Sequence, residues 1–198
     1  MAPRRGRRLP AGFYARHPLD VAPQLLNKVL VSGDRAGRIV EVEAYCGPDD
    51  PASHAYRGPT ARTATMFGPP GHLYVYFSYG MHWCANVVTH EPGQVGAVLL
   101  RALAPVRGVD AMRAVRPAAR RDLDLANGPA KLTQALGIDG RHDGLDLRRG
   151  EHAIAVVDDG VAPPTTATTG PRVGISVATD RPWRFSVPED PYRSKPWP

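Results

Sequence analysis

Hydrophobic and polar positions alternate most regularly over Arg38–Tyr45, RIVEVEAY. Read as a strand, this run sets Val40, Val42 and Ala44 on one face and Glu41, Glu43 and Tyr45 on the other. Upstream, Leu19–Leu30 (LDVAPQLLNKVL) predicts a helix leading into a strand, with Pro23 in the first turn if Asp20 is the N-cap. A turn over Ser32–Gly37 joins it to the alternating strand. Leu73–Ser78 and Trp83–Thr89 predict two strands joined by Tyr79–Gly80–Met81–His82, a short hairpin with a tyrosine at its tip. Val95–Leu103 reads as a further, largely apolar strand, and later strands are predicted at Ala153–Val157, Val173–Val177 and Trp183–Val187. Helices are predicted at Val109–Arg116 and Pro129–Leu136, the second between Asn127 as N-cap and Gly137 as C-cap.

Between these elements, Cys46–Pro70 is rich in Gly, Pro, Asp and Thr and reads as a long irregular segment, a kind that is usually functional or mobile. At the N-terminus RRGRR has nothing apolar to pack, so residues 1–12 are expected to form a flexible basic arm. A proline-rich tail, 189–198, is expected to run extended. With no internal repeat and no linker, the expected architecture is α+β. It is a single compact domain over 13–188, mostly antiparallel curved β-sheet with flanking helices and a protruding β-hairpin.

The 198 residues suffice for one well-buried core and are short for two. No apolar run approaches the roughly 20 residues that span a bilayer, and the basic N-terminus is not followed by the apolar stretch of a secretory signal. No membrane partner is expected, and the location expected is cytoplasmic and nucleoid-associated. Cys46 and Cys84 lack metal-ligand spacing and are too few for a disulfide framework, so both are read as thiols. The histidines show no H-x-x-x-H spacing either, so neither metal nor cofactor is expected. A formal net charge of +6 favours an acidic partner, nucleic acid first. Lysine occurs only at Lys28, Lys131 and Lys195; arginine carries the rest, which suits bidentate phosphate contacts but also follows from a GC-rich genome.

Glu41 and Glu43, two residues apart on a strand, are separated by roughly 6.6 Å along the chain. A carboxylate beside a like charge and an aromatic ring tends toward a raised pKa, which suits a general base; the alternative is a solvated strand face. Arg101 falls on the strand face of Leu99 and Leu103, where a charge is expensive to bury unless paired; the alternative is exposure at a strand end. Taken alone, His54 reads as a surface group in a Pro/Asp loop and Tyr76 as one position of a sheet face.

The runs VEAYCGPDDPASHAYRG, MFGPPGHLYVYFSYGMHWCANVV, GAVLLRALAP and NGPAKLTQALGI, in that order, resemble the alkylpurine (3-methyladenine) DNA glycosylase family in its monofunctional, metal-independent bacterial form. The resemblance extends from about Leu25 to Val187. It implies an enzyme that flips alkylated or deaminated purines (3-methyladenine, 7-methylguanine, hypoxanthine, ethenoadenine) out of duplex DNA and hydrolyses the N-glycosidic bond, leaving an abasic site. It implies double-stranded DNA containing damaged purines as partner and a monomeric enzyme. Glu43 would be the catalytic carboxylate and Arg101 its partner. Tyr45 and His54 would sandwich the flipped base, with Tyr76 along its side, and Asn86 would crowd the amino group of normal guanine. Tyr79 would be the intercalating wedge, and Arg57, Arg62, Thr63 and Lys131 would meet the DNA backbone. Two departures from the family pattern stand out: AYRGPTARTATMF is less basic than in relatives, and His82 replaces a second aromatic beside the wedge. The competing readings are a non-catalytic damaged-DNA-binding module and a nucleoside hydrolase.

Overall fold

A computed structural model describes residues 6–150 and 153–195. Strand β1 (Arg7–Arg8) and helices α1 (Ala11–Tyr14) and α2 (Pro18–Leu25) precede a hairpin of β2 (Val29–Ser32) and β3 (Arg35–Tyr45). A second hairpin, β4 (His72–Ser78) and β5 (His82–Val88), is followed by β6 (Ala97–Arg107), α3 (Val109–Val115) and α4 (Pro129–Leu136). The chain ends through β7 (Leu145–Asp146), β8 (Ile154–Asp158), β9 (Thr168–Gly170) and β10 (Arg184–Ser186). The strands pair antiparallel in the order β1-β8-β2-β3-β6-β5-β4-β7, with β10 bridging β3 and β9. This is the expected α+β architecture on one curled sheet. No helix of the described residues is long and apolar enough to cross a membrane.

Strand β3 organises the sheet. Its first half pairs with β2, its second half with β10, and its other edge with β6 along nearly its whole length. The β3–β6 ladder is not regular: Ile39 faces Leu103, Glu41 faces Ala102 and Val42 faces Leu100, which leaves Val40 and Arg101 without partners in the register. Two bulges thus sit back to back. They change which side chains share a face, so strict alternation fails here. Ile39, Val42 and Ala44 of β3, and Val98, Leu100 and Leu103 of β6, all pack in the main core. The expected sharing of one face by Leu99, Arg101 and Leu103 is therefore corrected.

The main core lies between the sheet and the apolar faces of α2 (Val21, Ala22, Leu25) and α4 (Leu132, Ala135, Leu136). Helix α2 starts one turn earlier than its sequence suggests. His17 is the cap, its Nδ1 accepting from Leu19 N–H at 3.3 Å, with Pro18 as the first helical residue. Pro23 is consequently inside the helix and not in its first turn. Gly128, not Asn127, occupies the N-cap position of α4; Gly137 closes it at φ 68° as expected, its N–H reaching the carbonyls of Thr133 and Gln134.

Three further expectations are revised. Residues 173–177 form no strand, whereas Thr168–Gly170 does. Arg7 and Arg8, expected in the flexible arm, pair with β8, and Arg8 Nη1 donates to the carbonyls of Leu147 and Ile154. Leu9 of the expected arm is buried and Ala11 and Gly12 belong to α1, while residues 1–5 lie outside the described residues. The tail does not run extended: it turns after Val187, and Ser194 is buried. Its last three residues, 196–198, lie outside the described residues.

Candidate active site

Glu43 is fully buried on β3, and both carboxylate oxygens are engaged. Oε1 accepts from the Val173 N–H at 2.7 Å and lies 3.3 Å from Arg101 Nη1; Oε2 accepts from the Tyr45 hydroxyl at 2.9 Å. Tyr45, Arg101 and Val173 are in turn walls of a cavity of about 530 Å³, so the carboxylate lies directly behind the cavity surface. Burial raises its pKa, and Glu41 adds to the rise; Arg101, the Val173 N–H and the Tyr45 hydroxyl oppose it without cancelling it. Burial likewise pushes Tyr45 well above the usual tyrosine range, with the Glu43 charge adding to it, so this phenol is a neutral donor.

The bulge explains Arg101. Leu99 and Arg101 both line the cavity, while Leu103 beyond the bulge belongs to the core. The guanidinium is thereby delivered between two acidic side chains, with Nε donating to Glu41 Oε1 at 3.0 Å. Glu41 also lies 3.3 Å from Arg184 Nε and accepts from both the backbone N–H and the hydroxyl of Ser194. The two carboxylates of the EVE run are thus separated in role: Glu41 belongs to a buried ion cluster, and Glu43 sits against the cavity.

Tyr45, His54, Tyr76 and Asn86 all line this one cavity, joined by Tyr74. His54 packs edge-on against Tyr76 with ring centroids 4.5 Å apart, and its Nδ1 is 3.0 Å from the Tyr74 hydroxyl. Although His54 is open at the cavity mouth, the surrounding protein, and secondarily Arg62, hold its pKa below the ordinary histidine value. Asn86 is buried on β5, where its Nδ2 donates to the Tyr74 carbonyl at 3.1 Å.

Tyr79 stands at the tip of the β4–β5 hairpin with 82% of its surface exposed, and it also borders the cavity. Both Tyr79 (φ 51°) and Gly80 (φ 64°) have left-handed backbone, as a tight hairpin turn requires. A tyrosine there costs about 1–2 kcal/mol relative to a relaxed conformation. The exposure and the strain together are hard to explain by folding alone. His82, placed by its sequence in the turn, is the first residue of β5.

The four expected backbone-contacting residues do not behave alike. Arg57 is exposed. Arg62 is exposed but leans into the cavity, its guanidinium 5.3 Å from the Tyr76 ring centroid. Lys131 is half-buried and donates to Asn127 Oδ1 at 2.7 Å. Thr63 is buried with its hydroxyl bonded to Thr60 at 2.9 Å, which removes it as a phosphate contact.

Several site residues escaped the sequence reading. Residues 173–177 wall the cavity as irregular backbone instead of forming a strand. Arg172 and Asp50 form a two-pronged ion pair with both side chains fully enclosed. The Arg172 guanidinium lies 4.7 Å from the Tyr45 ring centroid and 5.0 Å from that of Trp183. Asp50 also accepts from the N–H groups of Cys46 and Ala52, so it anchors the segment that carries His54. The available signal was an arginine in an otherwise apolar run, GPRVGISV, which needs an anion if buried. Among the described residues no group of three or more His, Cys, Asp or Glu side chains is placed to hold a metal ion.

A family model for methylpurine-DNA glycosylases matches residues 12–191. A Burkholderia lata protein provisionally named a 3-methyladenine DNA glycosylase is 60% identical over 189 residues, which cover 95% of this chain and 91% of the relative. Proteins given the same provisional name are 49% identical in Streptomyces avermitilis (90% of this chain, 87% of the relative) and 48% identical in Carboxydothermus hydrogenoformans (94% and 98%).

Proposed function

This chain belongs to the methylpurine-DNA glycosylase family, monofunctional hydrolases of DNA repair, and on that premise we propose that Glu43 is the base with which it cuts a damaged purine from duplex DNA. The damaged nucleotide turns out of the stack, at a cost that is least for damaged or mismatched pairs, and its base enters the cavity. Tyr45, His54 and Tyr76 offer it π-surfaces, a contact worth about 1–3 kcal/mol per base. Tyr79 fills the gap left in the duplex, which gives its strained and exposed position a use.

For hydrolysis, the Tyr45 phenol gives up Glu43 Oε2 to a water molecule. Glu43 accepts the proton as the water oxygen bonds to C1′. The bond from C1′ to the purine nitrogen breaks, and its electron pair leaves with the base. Arg101 holds Glu43 in place, and the carboxylates beside it offset the positive charge that develops on the sugar. Its raised pKa makes Glu43 a better proton acceptor than an ordinary solvated carboxylate.

Cationic lesions such as 3-methyladenine and 7-methylguanine depart as neutral bases and are the preferred substrates. Hypoxanthine and ethenoadenine need a proton to leave. His54, with its lowered pKa, is predominantly uncharged at neutral pH, so they react more slowly. Asn86 crowds the amino group of undamaged guanine. The enzyme acts on DNA as a monomer in the cytoplasm.

The observation that carries this reading is the buried Glu43–Arg101 pair set directly behind an aromatic cavity with an exposed tyrosine at its edge. The test incubates the protein with an alkylated and a hypoxanthine-containing duplex and scores free purine and alkali-labile sites. Wild type should release base from both, faster from the alkylated one, and Glu43→Gln should bind the lesion yet cut at least ~10²-fold more slowly. Undiminished release by Glu43→Gln would end the mechanism; binding without release by wild type would leave a damage-recognition module.

A further inference from the structure

Each of the three guanidinium nitrogens of Arg101 meets a different residue. Nη1 faces Glu43, Nε donates to Glu41, and Nη2 donates to the hydroxyl of Ser194 at 3.1 Å. Ser194 comes from the C-terminal tail, 93 residues from Arg101 and 153 from Glu41, and past the last residue matched by the family model, 191. We propose that the tail is part of the catalytic apparatus. In this proposal Ser194 is a positioning residue that, with Glu41, locks Arg101 in the orientation that holds Glu43.

The hydrogen-bond arithmetic at Ser194 supports a specific role. Its hydroxyl has one proton, which it gives to Glu41 Oε1 at 2.8 Å, and it accepts from Arg101 Nη2. Its backbone N–H goes to the other Glu41 oxygen. A hydroxyl can do both jobs at once; a methyl group can do neither. Ser194 is 3% exposed, Arg101 5%, and Glu41 and Glu43 are fully enclosed, so no bulk water stands ready to replace it.

The route of the chain points the same way. Val187 N–H donates at 2.9 Å to the carbonyl of Val40, the β3 residue that the bulge leaves out of the ladder. The chain then turns at Asp190, whose Oδ1 accepts from Tyr192 N–H at 2.8 Å, and returns to Glu41. The tail thus covers the bulge that displaces Arg101. A tail present only to finish the fold has no need of a hydroxyl shared between the two charges nearest the proposed base.

The inference rests on Glu43 being the base. Its test is Ser194→Ala, which keeps the backbone bond to Glu41 and removes only the hydroxyl. Single-turnover excision from an alkylated duplex at saturating enzyme should slow by roughly tenfold, the equivalent of one buried charge-assisted hydrogen bond. Duplex affinity should stay within about twofold, and Ser194→Thr, which restores the hydroxyl, should recover most of the rate. A Ser194→Ala rate equal to wild type, a loss matched by weaker duplex binding, or a Ser194→Thr variant as slow as Ser194→Ala would each overturn the proposal. Wild type run in parallel separates the two readings. If it releases no purine, the reading of Glu43 fails; if it does and Ser194→Ala keeps pace, only the tail's role fails.

Discussion

Replacing Asp50 by Ala tests how much of this site depends on a pair of residues 122 positions apart in sequence. Asp50 receives both terminal nitrogens of Arg172 and two backbone N–H groups, and both charged side chains are fully enclosed. Alanine would leave the guanidinium with the Ala44 carbonyl, at 3.0 Å, as its remaining close oxygen partner, between the rings of Tyr45 and Trp183. Removing one member of a buried pair typically costs about 3–5 kcal/mol, because the stranded charge cannot be rehydrated. Stacking on two rings stabilises a desolvated cation by on the order of 1–2 kcal/mol, but it is present in both proteins and so does not reduce the difference. The expected loss is therefore ~3–5 kcal/mol, a large share of the 5–15 kcal/mol or so that holds a typical domain together. Equilibrium urea unfolding with linear extrapolation measures it. The exposed pair of Asp110 with Arg113 supplies the control: Asp110→Ala should leave the urea midpoint unchanged, because solvent already screens that contact. A loss below about 1 kcal/mol for Asp50→Ala would refute the claim that enclosure, and not charge pairing as such, makes Asp50 matter.

Three further outcomes follow from the same geometry. Glu43 has a raised pKa in the fold, so its favourable contribution is complete below the unfolded-state value of about 4.3 and is lost as pH rises through the folded value. The Tm advantage of Glu43→Gln over wild type should therefore grow from acid toward neutral pH, and a pH-independent difference would contradict it. Tyr45→Phe keeps the ring but removes the donor that lowers the Glu43 pKa, so the acid limb of the excision profile should move to higher pH; an unmoved limb would mean the phenol does not reach the carboxylate. Tyr79→Gly relieves left-handed strain at a residue whose ring is mostly in water, so stability should rise by about 0.5–1 kcal/mol while single-turnover excision slows. Lower stability, or an unchanged rate, would deny that the strain is kept for the sake of the wedge.

What the sequence made legible is what local periodicity controls. The β4–β5 hairpin with Tyr79 at its tip, the two helices after β6, and Glu43 and Tyr45 on one strand followed from alternation, turn chemistry and the Gly137 C-cap, whereas the N-cap of α4 did not. The stretch 173–177 shows the limit. It alternates apolar residues like a strand, but it finds no partner ladder, and the Val173 N–H is instead spent on Glu43. Side-chain pattern reports which residues avoid water; it does not report where a backbone donor goes. The partner of Arg172 was hidden for a related reason, since Asp50 lies 122 positions away in sequence and only the folded chain brings the two together.

The irregular ladder between β3 and β6 is the deepest of these omissions, because it is where the proposed base and its arginine partner are brought together. Regular pairing would keep Arg101 on the face of Leu103, inside the core, where two apolar walls would leave its charge unmatched. One bulge alone would shift every later pair of the two strands by a residue and turn the core face of β3 outward. Two in succession, at Val40 and Arg101, cancel: pairing resumes with Val42 facing Leu100, and only the residues between are displaced. The displaced arginine then has Glu41 and Glu43 within reach, and the displaced carbonyl of Val40 is met by Val187. The first compensation comes from the neighbouring strand and the second from the far end of the chain, so no window of either strand alone contains the information. The bulges persist because later parts of the chain satisfy what they expose, and a variant that loosened the Val187–Ser194 return should be felt first at Arg101.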